Sequence, residues 1–288
     1  MLRYSITCEL YEPVYSFHMT SRILGVPVFK VHAFYVDGLL IDTGFARCRN
    51  GFLKLCDQLP KIGAVVNTHH HEDHTGNNYW IARKYGIIPM GHPQTTTYMR
   101  SPSRWIKLYR RSVWGTPLPT DMAWVGSEIP TQHYRFLVFS TPGHTDDHVC
   151  LYEPHEGWLF SGDLFLDEEV RYTREDEDIH ALLDSLKRMA GLKPKKMFCS
   201  FSGLIERPAE ALKKKIDFLE GLKEQVEEGV KQGLSSQEIQ KRLLGPGDRF
   251  RFITEGQISK KNTIQAFLKK SQTSLLDTGG HGGFESSL

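Results

Sequence analysis

One short run of residues constrains this chain more than any other: Thr68-His69-His70-His71-Glu72-Asp73-His74-Thr75-Gly76. It follows the apolar run Ile62–Val66, which has the length of a buried strand. Because alternate side chains of an extended chain share a face, His69, His71 and Asp73 are expected to point one way. His74 joins them where the chain turns. Neutral imidazole and carboxylate oxygen suit divalent zinc and iron, so the run predicts a metal site rather than a solvated loop.

The spacing of this run excludes the helical zinc-protease signature, His-Glu-x-x-His. His70 and His74 are one helical turn apart, but Glu72 comes two residues after His70 instead of directly after it. The run matches His-x-His-x-Asp-His, and three further motifs accompany it: Leu40-Ile41-Asp42-Thr43-Gly44, Thr141-Pro142-Gly143-His144-Thr145 and Phe160-Ser161-Gly162-Asp163. With these motifs, the segment from about Val28 to Gly203 resembles the metallo-β-lactamase-fold superfamily of metallohydrolases.

The resemblance implies an α/β fold, a four-layer αββα sandwich with the metals at the seam between its halves. The expected metal ligands are His69, His71, Asp73, His74, His144 and Asp163. The first metal would be held by the imidazoles of His69, His71 and His144, and Asp163 would bridge to a second. Asp73 would also be catalytic, because it could orient a metal-activated hydroxide and pass a proton to the leaving group. For Asp163, the ordinary alternative to a metal-bridging role is a helix cap.

Three further residues are expected beside the metal. The resemblance places Asp42 behind the metal, where its carboxylate would hydrogen-bond a metal ligand. The alternative is that Asp42 only forms a turn. His148 is expected to make a structural hydrogen bond near the site in preference to facing the pocket. Ser202 stands where the family usually has its last histidine, immediately before a glycine.

The serine weakens the second metal site, because a hydroxyl stays protonated near neutral pH and is a poor zinc ligand. That site would keep only Asp73, His74 and Asp163. Cys199 and His281 are the candidate replacements, but a buried free thiol and a residue in a glycine-rich tail are their ordinary interpretations. The sequence therefore predicts one or two zinc ions, with iron or manganese as alternative metals.

Composition limits the class of protein. The chain has 288 residues, of which 40% are hydrophobic and 24% charged, enough for one large core with or without an appendage. Its first ten residues lack a signal peptide's apolar segment, and no run reaches the roughly 18 uncharged residues of a membrane span. Five cysteines without paired spacing suit a reducing compartment, which disfavours a secreted antibiotic-degrading enzyme. A net charge of +2 is too small to attract nucleic acid or membranes. We expect a cytoplasmic protein without either partner, and the sequence allows a homo-oligomer.

The order of predicted elements divides the chain into a core at residues 1–207 and a helical region with a tail at 208–288. Strands are predicted at Val14–Ile23 and Val26–Ile41, with a hairpin turn at Asp37-Gly38. Helices are predicted at 49–59, 77–85 and 179–191, and three more follow Pro208.

Residues 91–130 are expected to form a lid over the active site. They combine cations with aromatic residues: Arg100, Arg104, Lys107, Arg110 and Arg111 with Tyr98, Trp105, Tyr109 and Trp114. Such a lid would suit an anionic or aromatic small molecule. The alternative is an amphipathic surface helix in which Trp105, Leu108 and Tyr109 pack inward and the arginines are solvated.

Taken together, the sequence predicts a metal-dependent hydrolase of an ester, thioester, lactone or phosphoester. Two other functions stay open: a mononuclear iron oxygenase acting on thiol-derived substrates, and a metal-binding module without catalysis.

Overall fold

Two β-sheets stack face to face at the centre of the structure, a computed structural model that describes residues 2–269. The strands are β1 (Leu2–Tyr11), β2 (Val14–Ile23), β3 (Val26–Val36), β4 (Leu39–Ile41), β5 (Ala64–Val66), β6 (Met90–Gly91), β7 (Ala123–Trp124), β8 (Glu128–Pro130), β9 (Arg135–Ser140), β10 (Val149–Glu153), β11 (Trp158–Gly162), β12 (Thr173–Arg174), β13 (Lys196–Cys199), β14 (Gly203–Ile205) and β15 (Ile258–Ser259). The first sheet has the order β1-β2-β3-β4-β5-β6-β7, and the second β14-β13-β11-β10-β9-β8. β12 pairs with β15 in a small separate sheet.

Helices cover the outer faces of both sheets. They are α1 (Arg49–Cys56), α2 (Glu72–Thr75), α3 (Asn78–Tyr85), α4 (Pro93–Met99), α5 (Leu108–Trp114), α6 (Ile179–Gly191), α7 (Pro208–Lys231), α8 (Ser236–Leu244), α9 (Arg249–Ile253) and α10 (Lys260–Leu268). Their ends follow local chemistry: the Asp178 carboxylate caps α6 by accepting the His180 and Ala181 N–H groups, and Ser235 with Glu238 forms a capping box on α8.

The layers follow from side-chain alternation along the strands. In β4, Leu40 packs with Phe52 of α1 and Ile81 of α3, whereas Leu39 and Ile41 face the second sheet. On the other side, α6 and α7 pack against the second sheet. The order helix, sheet, sheet, helix confirms the predicted αββα sandwich.

An aromatic core joins the two sheets. Phe34 of β3 lies 5.7 Å, ring centroid to centroid, from Phe160 of β11, which stacks on Phe198 of β13 at 4.8 Å. All three are buried. This contact sets the sheets' relative position, so the strand ends of both sheets reach a common edge.

The helices after residue 207 share their hydrophobic core with α6. Leu212 and Leu219 of α7, Ile239 of α8 and Ile264 of α10 belong to the same buried cluster as Leu186 of α6. The β12–β15 pairing ties this region to the loop before α6. Among residues 2–269, no helix is long and apolar enough to cross a membrane.

Two parts of the chain differ from the sequence-based expectation. β1 was not predicted; it is an edge strand whose side chains alternate between partly buried and exposed in its first half. Residues 91–130, expected to form a lid, also contribute to both sheets, because β7 and β8 within them pair with β6 and β9. The part that stands over the site is α4, α5 and the turns around them.

Candidate metal centre

Four segments bring ligand-type side chains to the shared edge of the sheets. The turn after β5 carries His69 and His71, and α2 carries His74. The turn after β9 carries His144, and the end of β11 leads into Asp163. Residues from distant parts of the chain converge because both sheets place these strand ends side by side.

Three imidazole nitrogens meet at the centre of this group. His71 Nδ1 lies 2.8 Å from His69 Nε2 and 3.2 Å from His144 Nε2. An Asp163 carboxylate oxygen lies 3.4 Å from His144 Nε2, and one ligand atom of each of the four residues falls within 4.8 Å of the others. Nitrogens bound tetrahedrally to zinc at about 2.0–2.1 Å lie roughly 3.3 Å apart. The spacing therefore fits three nitrogens that share a cation.

Two of the central imidazoles, those of His69 and His71, lie where the neutral form of the ring is favoured. Burial lowers the pKa of His69 far below its usual value, and neighbouring imidazoles, His74 first among them, lower it further. Burial also lowers the pKa of His71, with help from Arg174 and Arg110. Neutral rings keep a nitrogen lone pair for a metal.

A second part of the site lies around His74. Its Nδ1 is 2.7 Å from Asp42 Oδ2, and Asp42 also accepts hydrogen bonds from the Thr68 N–H and hydroxyl, both at 2.8 Å. Asp42 has a φ of +62°, a strained conformation that places its carboxylate behind the histidine. The contact leaves His74 Nε2 directed away from Asp42.

The carboxylates around His74 favour positive charge at this position. Burial alone would lower its pKa, but the carboxylates of Asp163 and Asp42 raise it well above the usual value. In turn His74 and His144 hold the pKa of Asp163 below its ordinary range against the effect of burial. His74 Nε2 lies 3.4 Å from Asp163 Oδ1, a long contact, and within residues 2–269 the buried Asp73 Oδ1 has no hydrogen-bond partner. Asp73 does not join the four-residue group.

His148 lies beside this group and makes two hydrogen bonds. Its Nδ1 is 2.8 Å from the Thr141 hydroxyl, and its Nε2 accepts the Asp163 N–H at 3.1 Å. Burial lowers its pKa to about 3. The approach requires glycine at position 162, where φ is +49° and a Cβ would lie 2.6 Å from the ring. His148 thereby holds the backbone that carries Asp163.

Sequence reasoning missed Glu177. Its carboxylate lies 2.8 Å from His144 Nδ1, and both side chains are buried. A carboxylate bonded to the far nitrogen of an imidazole fixes the ring and its tautomer. In the sequence Glu177 sits in the acidic run Arg174-Glu175-Asp176-Glu177-Asp178, which looks like a solvated loop and carries no recognisable spacing.

Ser202 contacts the loop after Asp163 and lies outside the four-residue group. Its hydroxyl donates to the Leu166 carbonyl at 2.6 Å, and the buried Lys215 ammonium donates to the carbonyls on either side, those of Phe165 and Asp167. Three successive carbonyls are therefore held by two side chains.

Of the two candidate replacement ligands, Cys199 lies within the described residues and does not belong to the four-residue group. Burial raises the pKa of the Cys199 thiol, whose Sγ accepts the Ser202 N–H at 3.4 Å, so it stays protonated. His281 lies outside the described residues.

A cavity of about 580 Å³ opens beside His71. Its walls come from the ligand turn, from α4 and α5, and from the segment that contains Gln257. Arg110 of α5 is 4% exposed and forms an ion pair with Glu72 at 2.5 Å, whereas Trp105 and Leu108 are exposed by 51% and 69%. At these three residues the packing is opposite to the surface-helix alternative, because Arg110 finds its partner in α2. Arg100 and Arg104 are exposed, as that alternative expects.

Comparisons with known proteins identify the family to which the chain is similar. The family model of the metallo-beta-lactamase superfamily matches residues 26–200. A Beta-lactamase-like protein 2 homolog from Drosophila melanogaster is 30% identical over 59% of this chain and 56% of its own length. A hydroxyacylglutathione hydrolase from Pelagibacter ubique is 29% identical over 34% of each chain. An atrochrysone carboxyl ACP thioesterase from Aspergillus fumigatus is 25% identical over 73% of this chain and 60% of its own. The chain thus spans little more than half the length of the first of these relatives.

Solved structures share the fold. A metallo-beta-lactamase family protein from Thermus thermophilus superposes with a TM-score of 0.67 at 20% identity, covering 96% of this chain and 97% of its own. A second protein, solved in a di-iron-bound form, gives a TM-score of 0.51 at 25% identity over 63% of this chain and 92% of its own. Since the family model covers more than half of the sequence, the chain belongs to the metallo-beta-lactamase superfamily.

Proposed function

We propose that this protein is a metal-dependent hydrolase of an ester or thioester. The observation that carries the proposal is the convergence of His69 Nε2, His71 Nδ1 and His144 Nε2 beside a cavity large enough for a small molecule. Two of the three relatives described above are named for thioester chemistry, a hydroxyacylglutathione hydrolase and an acyl-carrier thioesterase.

The residues present fit a metal. His69, His71 and His144 would hold the first ion with Asp163, and Asp73 and His74 would complete a second site that shares Asp163. A bound divalent metal would supply Lewis acidity and lower the pKa of a water molecule to about 7. Zinc is proposed as the ion, one or two per chain, with iron or manganese as the alternatives.

The chain's own side chains would position the reaction. Glu177 holds the His144 ring, and Asp42 holds that of His74, so their free nitrogens face the cluster. Asp73, whose Oδ1 is buried without a partner among residues 2–269, would orient the attacking water and carry a proton to the leaving group. Glu72 paired with Arg110 forms part of the cavity wall.

The test combines metal analysis with turnover. Protein purified without added metal is analysed for zinc, iron and manganese, then assayed with matched oxygen esters and thioesters before and after removal of metal with a chelator. We expect hydrolysis that is lost with the metal and returns on its readdition.

Two results would contradict the proposal. Iron at one equivalent per chain together with substrate-dependent oxygen uptake would assign the oxygenase function instead. Failure to hydrolyse any ester, thioester, lactone or phosphodiester at full metal loading would leave a metal-binding module.

A further inference from the structure

The cavity beside the metal ligands has an aromatic wall. The ring of Tyr98 in α4 lies 3.9 Å, centroid to centroid, from the imidazole of His70, with the two ring planes tilted by 31°. Trp105 meets Tyr98 edge to face at 4.8 Å, and both residues line the cavity. His70 itself is held by Asp147, whose carboxylate lies 2.9 Å from His70 Nδ1. The wall is therefore braced from behind, while half of the Trp105 surface stays open.

Charges on the cavity walls disfavour an anion. Arg110 is paired with Glu72, and Arg174 donates two hydrogen bonds of 2.9 Å to the carboxylate of Asp176. Both arginine charges are thus already neutralised by partners in the wall. A further carboxylate on the wall, the exposed Asp146, forms no salt bridge with Lys or Arg within the described part of the chain and accepts a hydrogen bond from the Tyr98 hydroxyl at 3.3–3.4 Å. One ligand atom of Asp146 also lies within 4.8 Å of those of His70 and Asp147.

The other four cations of the predicted lid are absent from the cavity lining, and two of them, Arg100 and Arg104, are exposed. Lys107 pairs with Glu175 outside the cavity, and Arg111 donates to the Ile106 and Ser103 carbonyls. A divalent metal at the histidine cluster would add positive charge at the reactive end, where Asp163 offsets part of it. The cavity wall formed by Tyr98 and Trp105 keeps its aromatic surface, and Asp146 beside it has no Lys or Arg partner within the described residues.

We propose that this cavity selects an acyl group that carries an uncharged aromatic ring, with the ring against Tyr98 and Trp105 and the carbonyl at the histidine cluster. The proposal rests on the proposed hydrolase function and names its substrate class. An aromatic ring matches the open face of Trp105, because aromatic pairs favour edge-to-face or offset stacking. A carboxylate on the ring would meet Asp146 and find no free arginine.

The binding experiment does not depend on catalysis. Phenylacetamide, its para-carboxylated analogue and cyclohexylacetamide are titrated into the metal-loaded protein by calorimetry or ligand-observed NMR. We expect phenylacetamide to bind about tenfold more tightly than either of the others. Trp105→Ala should remove that preference, whereas Trp124→Ala, which truncates a 72% exposed tryptophan outside the cavity, should leave it unchanged. Asp146→Asn should bring the carboxylated analogue at least threefold closer to phenylacetamide.

The kinetic experiment uses N-acetylcysteamine thioesters of the three corresponding acids. We expect kcat/KM to follow the same order. In Trp105→Ala, the phenylacetyl and cyclohexylacetyl thioesters should have equal kcat/KM. Trp105 is surface-exposed, so its truncation should leave the fold intact, as circular dichroism can verify.

The two experiments separate the two proposals. Hydrolysis of all three thioesters at equal kcat/KM would overturn the aromatic assignment and leave the hydrolase standing. Trp105-dependent binding of phenylacetamide without hydrolysis of any thioester would overturn the hydrolase and keep the cavity's aromatic selectivity. Tighter binding of the carboxylated analogue would refute the charge argument.

Discussion

The buried ion pair between Glu72 and Arg110 offers a quantitative test of the structure. The two side chains are 1% and 4% exposed, and Arg110 Nε lies 2.5 Å from Glu72 Oε1. With charge centres about 4 Å apart and an effective dielectric constant of 20, their attraction is about 4 kcal/mol. Removing one partner leaves the other charge buried, which typically costs about 3–5 kcal/mol.

The two single variants should differ. Glu72→Gln leaves a permanent guanidinium charge without a counter-ion, so we expect the free energy of unfolding to fall by about 3 kcal/mol. Arg110→Met should cost about half as much, because burial already raises the pKa of Glu72 and the carboxyl can take up a proton. The double variant buries no charge at this point and should lie within about 1.5 kcal/mol of the wild type.

The assay is urea denaturation at pH 7, followed by circular dichroism, on metal-stripped protein so that metal binding does not add to stability. The exposed pair Glu128–Arg135 provides the matched control, and Glu128→Gln should change stability by less than about 1 kcal/mol. If the double variant is as unstable as the sum of the singles, the two side chains do not interact as described.

Three further predictions concern the metal site and its surroundings. His69→Ala should abolish metal retention measured by mass spectrometry, whereas His133→Ala, at an exposed histidine, should retain the wild-type content. Ser202→His should raise bound metal towards two ions per chain, because an imidazole would add a ligand to the second site; unchanged content would count against that site. Burial would raise the pKa of Asp147, but hydrogen bonds, chiefly from His70, lower it from 3.8 to about 2. The ionised carboxylate therefore contributes about 2 kcal/mol to the free energy of unfolding. This contribution is present above pH 4 and is lost as the pH falls through 2. Urea denaturation of metal-stripped protein between pH 5 and 2 should therefore show a steeper loss of stability in the wild type than in Asp147→Asn, and parallel curves would refute this.

Local sequence determined the elements of this protein and the makeup of its ligand turn. Period-two alternation and turn residues located β2, β3 and the hairpin at Asp37-Gly38, and helical periodicity located α6 to the residue. The histidine-rich run predicted a metal site because several ligand-type side chains in one short segment are hard to explain as a solvated loop. His144 and Asp163 were expected there only through the order of motifs along the chain.

The tertiary structure decided which distant groups became partners. Glu177, which looks like a solvated acid in the sequence, is hydrogen-bonded to His144. Arg110, which looks like a solvated arginine, pairs with Glu72. Ser202, which looks like a lost metal ligand, donates to the Leu166 carbonyl. The reason is physical, because a buried charge or hydroxyl is costly unless it has a hydrogen-bond or ion-pair partner. Which residue becomes that partner depends on how the layers pack. The partners are tens of residues apart in the sequence, so no local pattern encodes them. The charge balance of the cavity, on which our proposal of an uncharged aromatic ring depends, likewise comes from tertiary pairings, those of Arg110 with Glu72 and of Arg174 with Asp176.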